Sequence, residues 1–222
     1  MSRRRHARRA SVAGIRFSRH EMRDLLVAWV ALGVAFTLFL NPRLVRAIPT
    51  GRVGVGAVGR AFALSMLTVG TGFLLHELAH KVVAVRFGQL AEFRADYNML
   101  GLAILAALAG FLFAAPGAVH HRGQITEREN GLIALAGPAV NVALGAGFLL
   151  LAALGSGFLG ALGTLGFFVN VLLAAFNMIP FGPLDGRKVL AWSRPVFAVV
   201  FAATGGVAAA LLLGVLPAGL LS

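Results

Sequence analysis

Apolar stretches divide most of this chain among them: Leu25 to Leu40, Arg60 to Arg86, Met99 to Ala115, Gly131 to Leu154, Phe158 to Pro180 and Pro195 to Leu216. About 20 apolar residues in a helix cross the roughly 30 Å of hydrocarbon in a bilayer. Inside lipid only helices and closed barrels satisfy every backbone amide. Between Arg60 and His76 there is no charged residue. Over the whole chain 13% of residues are charged, against about 25% in an average soluble domain. These runs exclude a water-soluble core and predict an all-α polytopic membrane protein. Once 222 residues are shared among spans and short connections, no room is expected for an added soluble domain.

The formal charge of +12 comes partly from Arg3, Arg4, Arg5, Arg8, Arg9, Arg16, Arg19 and Arg23. Ahead of an apolar span, such an arm is a topology signal held at the cytoplasmic face and near anionic lipid, so no nucleic-acid partner is expected. The arm and first run together look like a signal peptide, but Asn41-Pro42-Arg43 stands where small residues would mark cleavage. The reading is therefore a basic cytoplasmic arm over residues 1–24 and one integral membrane domain over 25–222. Residues 41–60 contain Pro42, Pro49 and several glycines, which predicts an external loop. Within it, Gly54 to Gly59 matches a dinucleotide fingerprint, but no strand or βαβ unit surrounds it, and a glycine-rich loop is the better reading.

Chemistry enters with His76-Glu77-Leu78-Ala79-His80 at the end of the second run. Residues four apart share a helix face, so both imidazoles can reach one Zn²⁺, and Glu77 is placed to take a proton from a metal-activated water. A catalytic zinc site needs a third protein donor. There is no Cys, so that donor is His or a carboxylate. His120 and His121 are neighbours and so poor partners for one ion; they read as a solvated loop. Ala118 to Thr126 alternates enough for a short strand. Pro138, in Gly137-Pro138-Ala139-Val140-Asn141, frees a helix carbonyl among small residues that let another helix come close. Asn170 and Asn177 share a face, and interhelical hydrogen bonding explains both. Asp185 lies in a rigid Pro-Phe-Gly-Pro-Leu-Asp-Gly exit from the fifth run. It is either a surface ion pair with Arg187 and Lys188 or the missing ligand.

Three motifs in this order, His76 to His80, Gly137 to Asn141 and Asn177 to Gly186, resemble the site-2 protease family of intramembrane zinc metalloproteases, peptidase family M50. The resemblance covers residues 60–190, taken as the catalytic core. It implies zinc held by His76, His80 and Asp185, with Glu77 as catalytic base. Asn141 and Asn177 would place the substrate or order the site. It implies a transmembrane protein substrate cut within the lipid bilayer. The family often carries PDZ or CBS modules, and their lack here implies a minimal, prokaryotic member. The rival expectation is a zinc-binding membrane protein that does not cut, either a carrier or an inactive relative. A carrier would be expected to show ionisable residues in several spans.

For His76, His80 and Asp185 to meet on one side, 99–115 must dip into the membrane and return rather than cross. That arrangement leaves 16 of the 20 Lys and Arg in the cytoplasm, against 11 if it crossed. The expected fold is five transmembrane helices, one re-entrant segment (99–115) and a short β element near 118–126. The protein is expected in the cell membrane, with its amino terminus cytoplasmic and Ser222 outside. Substrate identity and oligomeric state are not legible.

Overall fold

The computed structural model describes residues 10–12, 15–47, 54–111 and 116–215. The re-entrant run's residues 112–115 and the carboxyl-terminal Ser222 lie outside the described residues, as do 48–53 of the expected loop. Strands β1 (Ala10–Val12) and β2 (Ile15–Phe17) form an antiparallel hairpin, Ala10 opposite Phe17. Helix α1 (Arg19–Leu40) follows, so the boundary expected at residue 24 falls inside a helix and part of the arm is structured.

The reason is local capping and charge pairing. The Ser18 hydroxyl accepts the Glu21 N–H at 3.1 Å. Glu21 and Asp24 are buried, not solvated. The Lys81 ammonium, 1% exposed, reaches Glu21 at 2.5 Å, donates to the Arg16 carbonyl at 2.9 Å and sits 3.9 Å from the centre of the Phe17 ring. A buried charge is tolerable when paired and hydrogen-bonded in this way.

Helix α2 (Pro42–Ala47) and helix α3 (Val55–Ser65) replace much of the loop expected over 41–60. Pro42 is the first helical residue, where its missing N–H costs nothing. Glycines weaken a helix in water, but against lipid a helix is the available way to satisfy the backbone, and it extends back over Val55 to Gly59. Helix α3 runs through a π-helical turn, Met66–Gly70, into α4 (Thr71–Arg86), making one helix of 32 residues. In the wide turn the Met66 carbonyl takes the Thr71 N–H and also accepts from Trp29 Nε1 and Thr71 Oγ1, each at 3.1 Å.

Strand β3 (Leu90–Ala95), in the stretch between the second and third apolar runs, pairs antiparallel with β4 (Gly117–Arg122). The strand expected over 118–126 therefore ends earlier, where Gly123 turns away at φ 144°. Between the strands lies α5 (Tyr97–Leu108), capped by Asp96. Its 12 residues rise about 18 Å, well short of the hydrocarbon thickness. The Asp96 N–H bonds the Pro116 carbonyl at 3.1 Å, so this excursion leaves and returns at one point.

Helix α6 (Glu127–Leu154) opens with a Thr126/Glu129 capping box and turns back through Gly155 into α7 (Gly157–Asn177). These two pack closely: a Cβ on Gly163 would overlap the Ala152 backbone. A short α8 (Asp185–Trp192) and α9 (Arg194–Leu212) complete the described chain. Among the described residues five segments are long and apolar enough to cross a membrane: α1, Val55–Arg86, α6, α7 and α9. The architecture is thus all-α and polytopic, with two small two-stranded sheets among the described residues. A cluster of Leu25, Ala28, Phe93 and Leu100 packs α1, the sheet and α5 together around Phe73, Leu74 and Leu78 of α4.

Candidate metal centre

Helix α4 carries His76, Glu77 and His80, all buried. One turn apart, the two imidazoles stand edge to face and bring their Nε2 atoms to 3.0 Å. Asp185, the first residue of α8, points its Oδ2 at both, 3.2 Å from His76 and 3.1 Å from His80. The connection that delivers it turns at Gly182, φ 59°. Among the described residues, this is the one group of His, Cys, Asp or Glu with metal-ligand spacing.

Helix α6 supplies the other wall. Gly137 is required there, because a Cβ would stand 2.5 Å from the His76 ring and 2.6 Å from His80 Nε2. The small residues around Pro138 serve this approach. Both imidazoles are oriented by their far nitrogens: His76 Nδ1 lies 2.6 Å from Asn141 Oδ1, and His80 Nδ1 lies 2.7 Å from the Ile133 carbonyl. The Asn141 amide is oriented in turn, its Nδ2 donating to Asn170 Oδ1 at 2.8 Å and to the Gly72 carbonyl at 3.2 Å. Asn170 donates to the Gly166 carbonyl. The chain of bonds fixes the tautomer of each histidine: Nδ1 carries the proton and Nε2 keeps its lone pair.

Two imidazole lone pairs and a carboxylate oxygen therefore converge on one buried point, and three facing acceptors need a cation between them. Ligands at about 2.0–2.2 Å around a tetrahedral zinc stand roughly 3.3 Å apart, close to the separations here. The residues fit zinc. Lys188 Nζ, 3.5 Å from Asp185 Oδ1, makes the ion pair that the sequence offered as the alternative role, and Asp185 makes both contacts at once.

Glu77 Oε2 accepts the Val119 N–H at 3.0 Å, tying the motif helix to β4. His120 is exposed and stands opposite Glu92. His121 is half-buried, and burial, with the nearby Lys188 charge, lowers its pKa. Asn177 donates to the Leu173 carbonyl of its own helix at 2.9 Å and has no bond to the three donors, so of the two asparagines to which the resemblance gives a role at the site only Asn141 adjoins it. Asn170 makes the interhelical hydrogen bond expected of it, to Asn141; Ile133 and Val119 were missed because they act through backbone groups, which leave no mark in side-chain type.

Asn141→Ala removes the acceptor that orients His76. Zinc affinity, measured by competition with a chelator, is expected to fall about 10–100-fold, with the fold retained.

A bundle of apolar helices around a buried His-His-Asp centre, with a carboxylate beside it, defines a membrane metalloenzyme. Comparison with known proteins gives the particular class. Over 190 residues the chain is 40% identical to a protein of Methanocaldococcus jannaschii provisionally named as a zinc metalloprotease, MJ0611, covering 83% of this chain and 91% of that one. Over 145 residues it is 33% identical to YwhC of Bacillus subtilis, provisionally named likewise, covering 56% of this chain and 66% of that one. No family model matches. No solved structure matches. The chain belongs to this zinc metalloprotease family: it is a multi-pass membrane zinc metalloprotease.

Proposed function

We propose that the protein is an intramembrane protease of the site-2 type, peptidase family M50, hydrolysing peptide bonds within transmembrane segments of membrane-protein substrates. The observation that supports this reading is the place of the donor cluster along a helix long and apolar enough to span. His76 stands about 15 Å of helix before Arg86, on a segment apolar enough to span, and is walled by α6 and α8. Hydrolysis there takes place within the bilayer's thickness, and water reaches it through protein.

His76, His80 and Asp185 would hold the zinc, which when bound polarises the scissile carbonyl and lowers the pKa of the attacking water. Glu77 accepts that water's proton and returns it to the leaving amine. Asn141 and the Ile133 carbonyl keep both Nε2 lone pairs facing inward throughout. A helical substrate is internally hydrogen-bonded and must unwind first, and the β4 edge offers the opened strand backbone partners. Asn177 lies on the exit from α7 towards Asp185 and remains a candidate for contact with the substrate.

The arrangement we propose is a basic amino-terminal arm in the cytoplasm of a cell-membrane protein, residues 25–222 acting as one membrane domain, and 99–115 dipping in and returning. The short α5 and the bond joining Asp96 to Pro116 support the dip. Single cysteines at positions 121 and 222, probed in intact cells with an impermeant thiol reagent, should give a protected 121 and a labelled 222; the reverse pattern at either position defeats this topology. For the activity itself, membrane fragments are compared between cells carrying the wild type and Glu77→Gln. Fragments ending inside a transmembrane segment should appear with the wild type alone, and identical fragment sets would remove the proteolytic reading.

A further inference from the structure

The two outer edges of the β3–β4 sheet are treated differently. In an antiparallel pair, alternate residues turn both backbone groups away from the partner strand. On β3 these include Phe93 and Ala95, whose N–H groups go to Glu21 at 3.0 Å and Asp24 at 3.3 Å. Carboxylates of α1 thus close that edge. The register sets Phe93 opposite Val119 and Ala95 opposite Gly117, so the outward groups of β4 belong to Gly117, Val119 and His121. No third strand pairs with this edge among the described residues. At its middle the Val119 N–H is taken by Glu77.

We infer that Glu77 is a placeholder on the β4 edge: in the substrate-free protein its carboxylate occupies the hydrogen-bonding position that a backbone carbonyl of an extended substrate takes, and docking of that carbonyl releases Glu77 for proton transfer. The inference rests on the proteolytic reading above and adds an order of events to it. A backbone amide has one hydrogen to give, so the two acceptors compete for it. The carbonyls of an intact helix are already bonded within the helix and cannot compete. A lipid-embedded helix that has not unwound therefore leaves Glu77 in place, and the base is freed only when a strand has formed beside the metal centre.

The test is a binding cycle in the full-length protein with variants that do not turn over. The probe is a labelled synthetic transmembrane peptide of Leu and Ala with a central Gly-Pro break, its affinity read by anisotropy in detergent micelles. Glu77→Gln retains an acceptor for the Val119 N–H and Glu77→Ala removes it. The Ala variant should bind about tenfold tighter, as losing a competing hydrogen bond to the edge implies. In a Val119→Pro background, which deletes the donor on a non-pairing edge, the gain should vanish. Equal affinities with Val119 present, or a gain that persists with Val119→Pro, overturn the placeholder while leaving proteolysis intact. Absence of binding by every zinc-loaded variant overturns both. Amide exchange needs no proline variant: Val119 should exchange faster in Glu77→Ala than in Glu77→Gln and regain protection when the peptide is added. Equal protection in the two without peptide also overturns it.

Discussion

Glu77→Gln is expected to leave about one zinc per chain and to lower hydrolysis by at least the roughly 10²–10⁴-fold that follows loss of an acid–base group. The argument is geometric. The three converging donors are His76 Nε2, His80 Nε2 and Asp185 Oδ2, and Glu77 contributes no atom to that triangle. Its carboxylate is turned to the Val119 amide, an interaction the amide oxygen of Gln can keep, so the helix and the strand stay joined. What Gln lacks is basicity. Zinc content and turnover of the same purified sample decide it, and loss of zinc would make Glu77 a ligand.

Asp185→Ala is expected to empty the site, with zinc and activity lost together. The two histidines lie on one helix and approach the ion from one side, while Asp185 comes from α8 on the other. A catalytic site with three protein ligands has none to spare. His76→Ala and His80→Ala should behave alike, since both imidazoles are held with Nε2 inward by bonds at Nδ1. Removing Asp185 costs little else locally, for Lys188 is partly exposed and can turn to water. Full zinc occupancy in Asp185→Ala would reduce this residue to an ion-pair partner of Lys188.

What could be read from sequence was what helix period and chemistry determine locally. His76 and His80 are four apart, so their shared face follows from α-helical geometry alone. The five long helices follow from apolar length. Asp185 required elimination, because its approach to α4 depends on a turn and a helix packing that no local pattern records. The Glu21–Lys81 pair and the Asn141–His76 bond join residues 60 and 65 apart, and each partner alone reads as an ordinary surface or interhelical group. Strand β3 was invisible because its pairing with β4 spans the whole α5 excursion. The glycine-rich loop was misread because propensities measured in water undervalue a helix where lipid offers the backbone no other partner.

The most direct test of the account is to reconstitute the purified chain in lipid vesicles with a transmembrane peptide bearing a central helix break, and to determine the product masses with zinc, after chelation and with Glu77→Gln. The account predicts cleavage between residues of the membrane-embedded segment, abolished by chelation, restored by zinc and absent in Glu77→Gln. Products cut only in the water-exposed flanks, or cleavage that persists in Glu77→Gln, would contradict it.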